Sequence, residues 1–565
     1  MLISSPPPRN RGYWLSQLQS PLALVSLTMA KTSPPASQDA VPATRLASSP
    51  FDKPEADIVL RSADGVDFCV RRHILFEASP IFESILSIPQ SSTDLRPIVD
   101  LVEDQKTLDT ILRICYPIVK VKSSLQLEVV ERAVKAAQKY EMELPLAVLT
   151  NELLEFATIS PLAVWAIGCR TGLEDVARHA AAILKEPLEV EVDYLDGVSA
   201  GDYFRLLEFH RKGGKADDNF RFLNSNEASI EQRTPAPHIP LITLPHSDLV
   251  CKSSDGLFVS AHKACTASAS PVLGDRIEKA SNFTSAGHPI LQFTEEWDIL
   301  MPLLRLCYPD RGTWHLPSDP SHVSQLVDIV VALDKYRMRN ICGAVLQTWK
   351  TVAEASPIRA YLAAARRRAR ACAEIAAKCT LGAPLEGQYV ADMEYVPAVA
   401  YHRLLTYHAS CRAVAKQLLR DVLSALAPEV DCGTKEPPSG RAYLKDLRGR
   451  NLNSNDVKLE DNKRKPPLLY GTVYVATTEP KAMSASDSVA LRRSQDSWFE
   501  SYIEQLIARA DTHPSDVPLS ITTFDAAIAS GQWCSTCRGL AMRVRVADRA
   551  VCSISGRIAQ VSLVV

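Results

Sequence analysis

The chain has 565 residues, with 63 Lys and Arg against 65 Asp and Glu and a formal net charge of -2. Its length exceeds what one hydrophobic core supports, so several domains are expected. The balanced charge excludes the strong overall field that draws basic proteins to nucleic acid or anionic membranes. The 14 cysteines are scattered, mostly in apolar helical contexts, which predicts buried reduced thiols in a cytoplasmic or nuclear protein.

Residues 1–50 are rich in Ser and Pro and predict a disordered N-terminal tail. The apolar run from Trp14 to Ala30 is interrupted by polar residues and Pro21, so it is too polar and too short for a membrane helix. Met29 is an alternative start of the chain.

The segment Asp57–Leu86 predicts a β-hairpin followed by two helices. Ile58–Leu60 is a β-prone run, and Asp64-Gly65 supplies the turn because glycine accepts backbone angles that other residues resist. Val66–Val70 then alternates apolar and polar residues, the period of a half-buried strand. Ser79-Pro80 predicts the cap and first residue of the second helix.

This segment is repeated from Asp248 to Ile277 at a constant offset of 191 residues. The identities concentrate at the turn and the helix cap, where a shared backbone geometry restricts the residue type, so they predict a duplicated domain. The identical pairs are Asp57 and Asp248, Val59 and Val250, Ser62 and Ser253, Asp64 and Asp255, Gly65 and Gly256, Ala78 and Ala269, Ser79 and Ser270, and Pro80 and Pro271.

The Asp-Gly turn, the His262-Lys263 pair at the start of a helix and the following Ser-Pro resemble the BTB/POZ domain. Arg71-Arg72 occupies the place of His262-Lys263 in the first copy, which departs from the family there. Both copies also carry two landmarks typical of BTB domains, a Cys-Tyr-Pro sequence (Cys115–Pro117 and Cys307–Pro309) and a helix with Lys-Tyr-x-Met (Lys139–Met142 and Lys335–Met338).

The resemblance implies an α+β fold with two BTB/POZ-like units, each a small sheet with surrounding helices and a helical extension. Helical periodicity runs from Val129 to Phe156 and from Leu162 towards Leu184. Ser160-Pro161 repeats the signal for a helix cap and a helix start, and it recurs as Ser356-Pro357. The expected divisions are 1–50 tail, 51–158 BTB repeat 1, 159–223 extension 1, 224–245 linker, 246–354 BTB repeat 2, 355–427 extension 2, 428–493 disordered linker and 494–565 C-terminal helical segment.

The C-terminal part is similar to BTB proteins that are numerous in basidiomycete fungi. Their extension ends in a Tyr-His-x-x-Cys helix and is followed by a Trp-x-x-x-Tyr helix and a Cys-x-x-Cys pair. Tyr407–Cys411, Trp498 with Tyr502, and Cys534 with Cys537 fit those positions. Gly213 stands where the first copy would carry the counterpart of Cys411.

Catalytic chemistry is not indicated. The sequence has no G-x-G-x-x-G motif, no H-E-x-x-H motif and no phosphate-binding loop. His210 and His408 recur at matched positions, where helix packing or hydrogen bonding is the expected role. Cys534 and Cys537 are spaced to hold zinc, but a structural site needs four ligands, so an inert or weakly redox-active pair is the alternative. No other cofactor is expected.

Two clusters of basic residues are relevant to the choice of binding partner. Arg366, Arg367, Arg368 and Arg370 lie in an Ala-rich stretch and are interpreted as the solvated face of a helix. Lys463–Lys465 precedes two prolines in the second linker, where a nuclear-import signal is accessible. Because no aromatic residues interleave with these cations, direct binding of nucleic acid is disfavoured.

The expected function is therefore a non-enzymatic protein-protein interaction module. The resemblance implies recruitment of protein partners, with an adaptor of a cullin-RING ubiquitin ligase as one form. Twelve residues of the repeated motif are the candidates for the fold motif or the interface: Asp57, Asp64, Gly65, Ser79, Pro80, Asp248, Asp255, Gly256, His262, Lys263, Ser270 and Pro271. The alternative is a nuclear transcription-associated scaffold or an oligomerisation protein. Two linked copies favour BTB-BTB pairing within one chain, with a homo-oligomer as the other arrangement.

Overall fold

The computed structural model describes residues 45–53, 55–87, 96–118, 126–185, 190–215, 219–224, 246–308, 316–426, 444–445, 451–452, 504–514, 558 and 560–563. These residues divide into two compact units. The first contains those up to Val198 and from Arg205 to Ser225, and the second contains Ser199–Phe204 and those from Asn226 onward. Helices and small sheets make the chain α+β, which confirms the predicted fold class.

The first unit has four short strands: β1 (Arg45–Leu46), β2 (Ile58–Arg61), β3 (Val66–Val70) and β4 (Ile98–Asp100). They form one sheet in the order β1-β3-β2-β4. β2 and β3 pair antiparallel, and β4 lies parallel to β2. Gly65 adopts a left-handed φ of +78° in the connecting turn, which confirms the predicted hairpin.

The helices of this unit bury one face each, and the core contains large side chains from both the sheet and the helices. Phe68, Phe82 and Trp165 are fully buried, and the Phe82 ring stacks on Tyr140 with centroids 4.6 Å apart. The helices are α1 (Arg72–Ala78), α2 (Pro80–Leu86), α3 (Gln105–Cys115), α4 (Leu127–Lys139), α5 (Glu143–Phe156), α6 (Pro161–Thr171), α7 (Glu174–Ile183) and α8 (Ala200–Arg211), of which the part from Arg205 onward belongs to this unit.

The predicted tail 1–50 is wrong at its C-terminal end, because residues 45–50 belong to the folded unit. β1 pairs in parallel with β3, with Arg45 opposite Val66. Ala47 is buried, and its backbone N–H donates to the Asp67 carbonyl at 2.9 Å. Phe51, the first residue of the predicted repeat 1, is completely buried, and its ring meets that of Tyr116 edge to face at 5.1 Å. The Phe51 carbonyl also accepts a hydrogen bond from the Cys69 backbone N–H at 2.8 Å. Pairing with β3 therefore orders the last residues of the predicted tail despite their polar composition.

The second unit repeats the sheet with strands β5 (Leu249–Lys252), β6 (Phe258–Ala261) and β7 (Ile290–Gln292). Their order is β6-β5-β7, with β5 and β6 antiparallel and β7 parallel to β5. This connectivity is that of β3, β2 and β4 in the first unit. The duplicated sequence therefore folds twice into the same arrangement.

The helices of the second unit follow the same sequence and end in a longer one. They are α9 (Lys263–Ala269), α10 (Pro271–Glu278), α11 (Trp297–Leu306), α12 (Val323–Lys335), α13 (Arg339–Ala355), α14 (Pro357–Arg366), α15 (Arg370–Thr380) and α16 (Ala398–Leu426). Trp349 and Tyr361 are among the fully buried side chains of this core.

The long helical stretches expected from the sequence are each divided by one residue with a positive φ. Glu141 (φ +51°) separates α4 from α5, and Gly172 (φ +71°) separates α6 from α7. The Lys-Tyr-x-Met motif therefore closes one helix and opens the next instead of lying within a helix. Apolar periodicity continues across these turns because the helices on either side pack against each other and bury apolar residues.

Two further predictions need correction. Pro161 and Pro357 do begin helices, but the preceding Ser160 and Ser356 side chains make no capping hydrogen bond. The arginine cluster does not lie within a single helix. α14 ends at Arg366, Arg368 has φ +54° and α15 begins at Arg370, so the cluster forms the turn between two helices.

Most of the predicted linker 224–245 and of the predicted linker 428–493 lies outside the described residues. Within the second linker, β8 (Leu444–Lys445) and β9 (Asn451–Leu452) pair antiparallel. Residues 504–512 are helical, as expected for the C-terminal segment, and Leu506 and Ala510 are buried. Asp511 forms an ion pair with Lys416 of α16.

Candidate interaction surface

The aspartates of the repeated motif fix backbone groups in the same way in both units. Asp57 accepts a hydrogen bond from the Arg72 backbone N–H at 2.8 Å, and Asp248 accepts one from Lys263 N–H at 2.8 Å. These bonds tie each hairpin to the start of the helix that follows it. The turn aspartates act on a later helix, with Asp64 accepting from Gln105 N–H at 2.9 Å and Asp255 from Trp297 N–H at 3.2 Å.

The motif serines cap a helix and anchor it to a distant turn. The Ser79 Oγ accepts from Phe82 N–H at 3.1 Å and donates to the Tyr140 carbonyl at 2.5 Å. In the second unit the corresponding bonds join Ser270 to Leu273 N–H at 3.0 Å and to the Tyr336 carbonyl at 2.6 Å. Pro80 and Pro271 occupy the first turn of α2 and α10, as predicted, and Gly256 adopts φ +88° in the second hairpin.

The tyrosine of each Cys-Tyr-Pro landmark meets the position that begins the first helix. The Tyr116 hydroxyl accepts from Arg71 N–H at 2.8 Å, and the Tyr308 hydroxyl accepts from His262 N–H at 3.0 Å. The His262 Nδ1 also lies 3.0 Å from the Tyr308 hydroxyl. The first copy keeps the backbone bond and lacks only the imidazole contact, which explains why arginine is tolerated there.

A glutamate that sequence analysis did not single out completes each scaffold. Glu103 accepts from Lys139 Nζ at 2.8 Å and from the Tyr140 hydroxyl at 2.6 Å. Glu295 accepts from Lys335 Nζ at 2.6 Å and from the Tyr336 hydroxyl at 2.7 Å. Burial raises the pKa of both tyrosines, and the adjacent carboxylate raises it further. The sequence identified the Lys and Tyr of this cluster through the Lys-Tyr-x-Met motif. The glutamate was identified only from its contacts in the folded structure.

The described cysteines are free thiols, and burial makes several of them poor nucleophiles. Burial raises the pKa of Cys251 and Cys307 to about 12 and that of Cys115 to about 11. These thiols are therefore protonated at neutral pH, and the thiolate is the reactive form. His408 is buried with its Nε2 3.1 Å from the Thr380 carbonyl, which confirms the hydrogen-bonding role expected for it.

The segment Gly197–Gly201 has the G-x-S-x-G spacing of a hydrolase nucleophile elbow, a match that the sequence prediction overlooked. A nucleophile elbow requires a strand before the serine and a helix after it. Here a 3-10 turn, Val192–Leu195, precedes Ser199. The Ser199 Oγ accepts a hydrogen bond from the Asp202 backbone N–H at 2.9 Å, the bond of a helix cap. The serine thus has a structural role at the start of α8.

Within the described residues, no group of three or more His, Cys, Asp or Glu side chains is placed to hold a metal ion. Cys534 and Cys537 lie outside those residues, so zinc at this pair stays a prediction. None of the described helices combines the length and apolar character needed to cross a membrane.

Polar motif residues thus bond to backbone groups of their own unit, while side chains at two matched positions differ between the units. Ile85 on α2 corresponds to Arg276 on α10, and the left-handed Glu141 corresponds to Arg337. The same scaffold therefore carries two chemically different exteriors, and these are the candidate interaction surfaces.

No protein-family model matches the chain, and no curated protein is significantly similar to it.

Proposed function

We propose that this protein is a non-enzymatic interaction scaffold made of two BTB/POZ-like units in tandem. The observation that carries the proposal is the matched use of motif residues. Asp57, Asp248, Ser79 and Ser270 bond to backbone groups within their own unit, whereas outward side chains diverge. One chain then presents two different surfaces on a common framework, as a protein that brings partners together requires.

The more specific proposal is that one unit recruits a cullin, which makes the chain an adaptor of a cullin-RING ubiquitin ligase. This proposal follows from the BTB resemblance of the Asp-Gly turn, the His262-Lys263 pair and the Cys-Tyr-Pro landmarks. The other unit is then available to bind a substrate protein.

The alternative is a nuclear transcription-associated scaffold. It rests on the basic run Lys463–Lys465 ahead of two prolines, which lies outside the described residues. The two proposals share the interaction scaffold and differ in the class of partner and in the compartment.

Affinity purification of the tagged full chain followed by mass spectrometry tests both. We expect near-stoichiometric recovery of specific proteins, with cullin among them if the adaptor proposal is correct and chromatin-associated factors if the alternative is correct. Ser79→Ala combined with Ser270→Ala should destabilise the chain, because each serine supplies two buried hydrogen bonds. The amount of partner recovered should fall in proportion to the fraction of the chain that is folded. Recovery of no specific partner by the folded wild-type chain would contradict the scaffold function.

A further inference from the structure

A cavity of about 480 Å³ opens on the second unit beside α10 and β7. Its wall includes Arg276 and Lys279 from the end of α10, Gln292 from β7, and Arg337 from the turn between α12 and α13. The cavity therefore joins a helix end, an outer strand of the described sheet and a helical turn.

The charge of this wall is strongly unbalanced. Arg276, Lys279 and Arg337 supply three cations, and Asp275 is the one carboxylate among the described residues that line it. Arg276 donates to the Gln292 carbonyl and lies over the Phe293 ring at 5.4 Å, so its position is fixed without a carboxylate partner. Lys279 and Arg337 are exposed. Within the described part of the chain, none of the three cations is held in an ion pair.

The first unit shows that the scaffold does not need these cations. Ile85 takes the place of Arg276, Glu141 that of Arg337 and Asp100 that of Gln292. Glu141 and Arg337 have nearly the same backbone angle, with φ +51° and +54°. The same turn thus accepts a carboxylate or a guanidinium, and folding alone does not account for the basic side chains of the second unit.

We propose that this cavity, the α10–β7 cavity, docks an acidic segment of a partner protein through its Asp and Glu side chains. This inference rests on the proposed interaction function and specifies the chemistry of one partner. Guanidinium groups bind carboxylates through paired hydrogen bonds, and three uncompensated cations favour a segment with several carboxylates. A cavity of about 480 Å³ accommodates a few side chains of a short segment, which suits a peptide better than the extended backbone of a nucleic acid.

The test uses the full chain and a fluorescein-labelled peptide rich in Asp and Glu, with its Asn and Gln counterpart as the neutral probe. Fluorescence anisotropy should show binding of the acidic peptide that weakens as salt is added, since exposed charges are screened. The variant Arg276→Ile with Arg337→Glu installs the residues of the first unit. We expect it to bind the peptide roughly tenfold more weakly or worse.

The matched control is Arg420→Ile with Lys378→Glu, which changes net charge equally at exposed positions that do not line the cavity. It should bind like the wild type. If the cavity variant unfolds, Lys279→Gln replaces it, because this exposed side chain contributes no hydrogen bond among the described residues.

Failure of the wild-type chain to bind the acidic peptide would overturn the inference. An equal loss in the control variant, or tighter binding of a phosphopeptide or of single-stranded DNA than of the acidic peptide, would overturn it as well. Partners that are still recovered by the cavity variant, together with no peptide binding by the wild type, would remove this inference and leave the scaffold function standing.

Discussion

At the scale of single residues, the turns between paired helices depend on one left-handed position each. Gly172 fills this position between α6 and α7, and Arg368 fills it between α14 and α15, with φ +71° and +54°. Glycine adopts such angles without a steric cost, whereas a residue with a Cβ loses about 1 kcal/mol or more there. The second unit therefore carries strain that the first avoids.

Arg368→Gly should consequently stabilise the second unit by about 1 kcal/mol, because the exposed Arg368 side chain gives up no packing. The reciprocal change Gly172→Arg should destabilise the first unit by a similar amount. Urea unfolding of the two variants beside the wild type measures both effects. Equal midpoints for all three chains would show that the turn tolerates either residue.

At the scale of elements, a partly buried ion pair fastens the helical extension of each unit to its preceding helices. Glu131 on α4 receives two hydrogen bonds from Arg170 on α6, at 2.8 and 2.7 Å. Asp328 on α12 receives the equivalent pair from Arg367 at the end of α14, at 2.5 and 2.9 Å. Both pairs are bidentate, the geometry in which arginine binds a carboxylate most strongly.

This arrangement predicts acid sensitivity. Burial alone would raise the pKa of Glu131, but hydrogen bonds from Arg170 and Lys135 hold it at about 2, against an ordinary value of 4.5. Because the folded value is the lower one, the contribution is complete above pH 4.5 and is lost as the pH falls towards 2. Glu131→Gln should lower the free energy of unfolding by about 2 kcal/mol at neutral pH. It should also make that free energy fall less steeply as the pH is lowered from 4.5 towards 2.

Urea unfolding between neutral and acidic pH measures this effect. Glu155→Gln on α5 is the control, since Glu155 is exposed and its side chain has no partner among the described residues. It should leave both the stability and its pH dependence unchanged. If the free energy of unfolding of Glu131→Gln falls as steeply at acidic pH as that of the wild type, other groups cause the acid sensitivity.

At the scale of the whole molecule, the tandem duplication predicts pairing within one chain. Covalent linkage raises the effective concentration of one copy around the other, which favours intramolecular association over association between chains. We expect light scattering at micromolar concentration to give the mass of a single chain. A clean dimer mass would instead support the homo-oligomer that the sequence left open.

The sequence by itself determined the features that depend on a few neighbouring residues. The Asp64-Gly65 turn and the Ser79-Pro80 helix start could be predicted because local sterics and capping fix them within four residues, and their recurrence revealed the second unit. The hydrogen bonds that Asp57 and Asp248 accept from the start of a helix were not predictable in detail, although the motif pointed to both residues.

Only the tertiary structure decided the long-range partners. Nothing near Glu103 in the sequence indicates that it bonds Tyr140, and nothing near Phe51 indicates that its ring lies beneath Tyr116. The α10–β7 cavity likewise assembles Arg276 and Arg337 from distant positions. Such contacts form only when the whole core packs, so their energies depend on positions in space that local residue preferences do not encode.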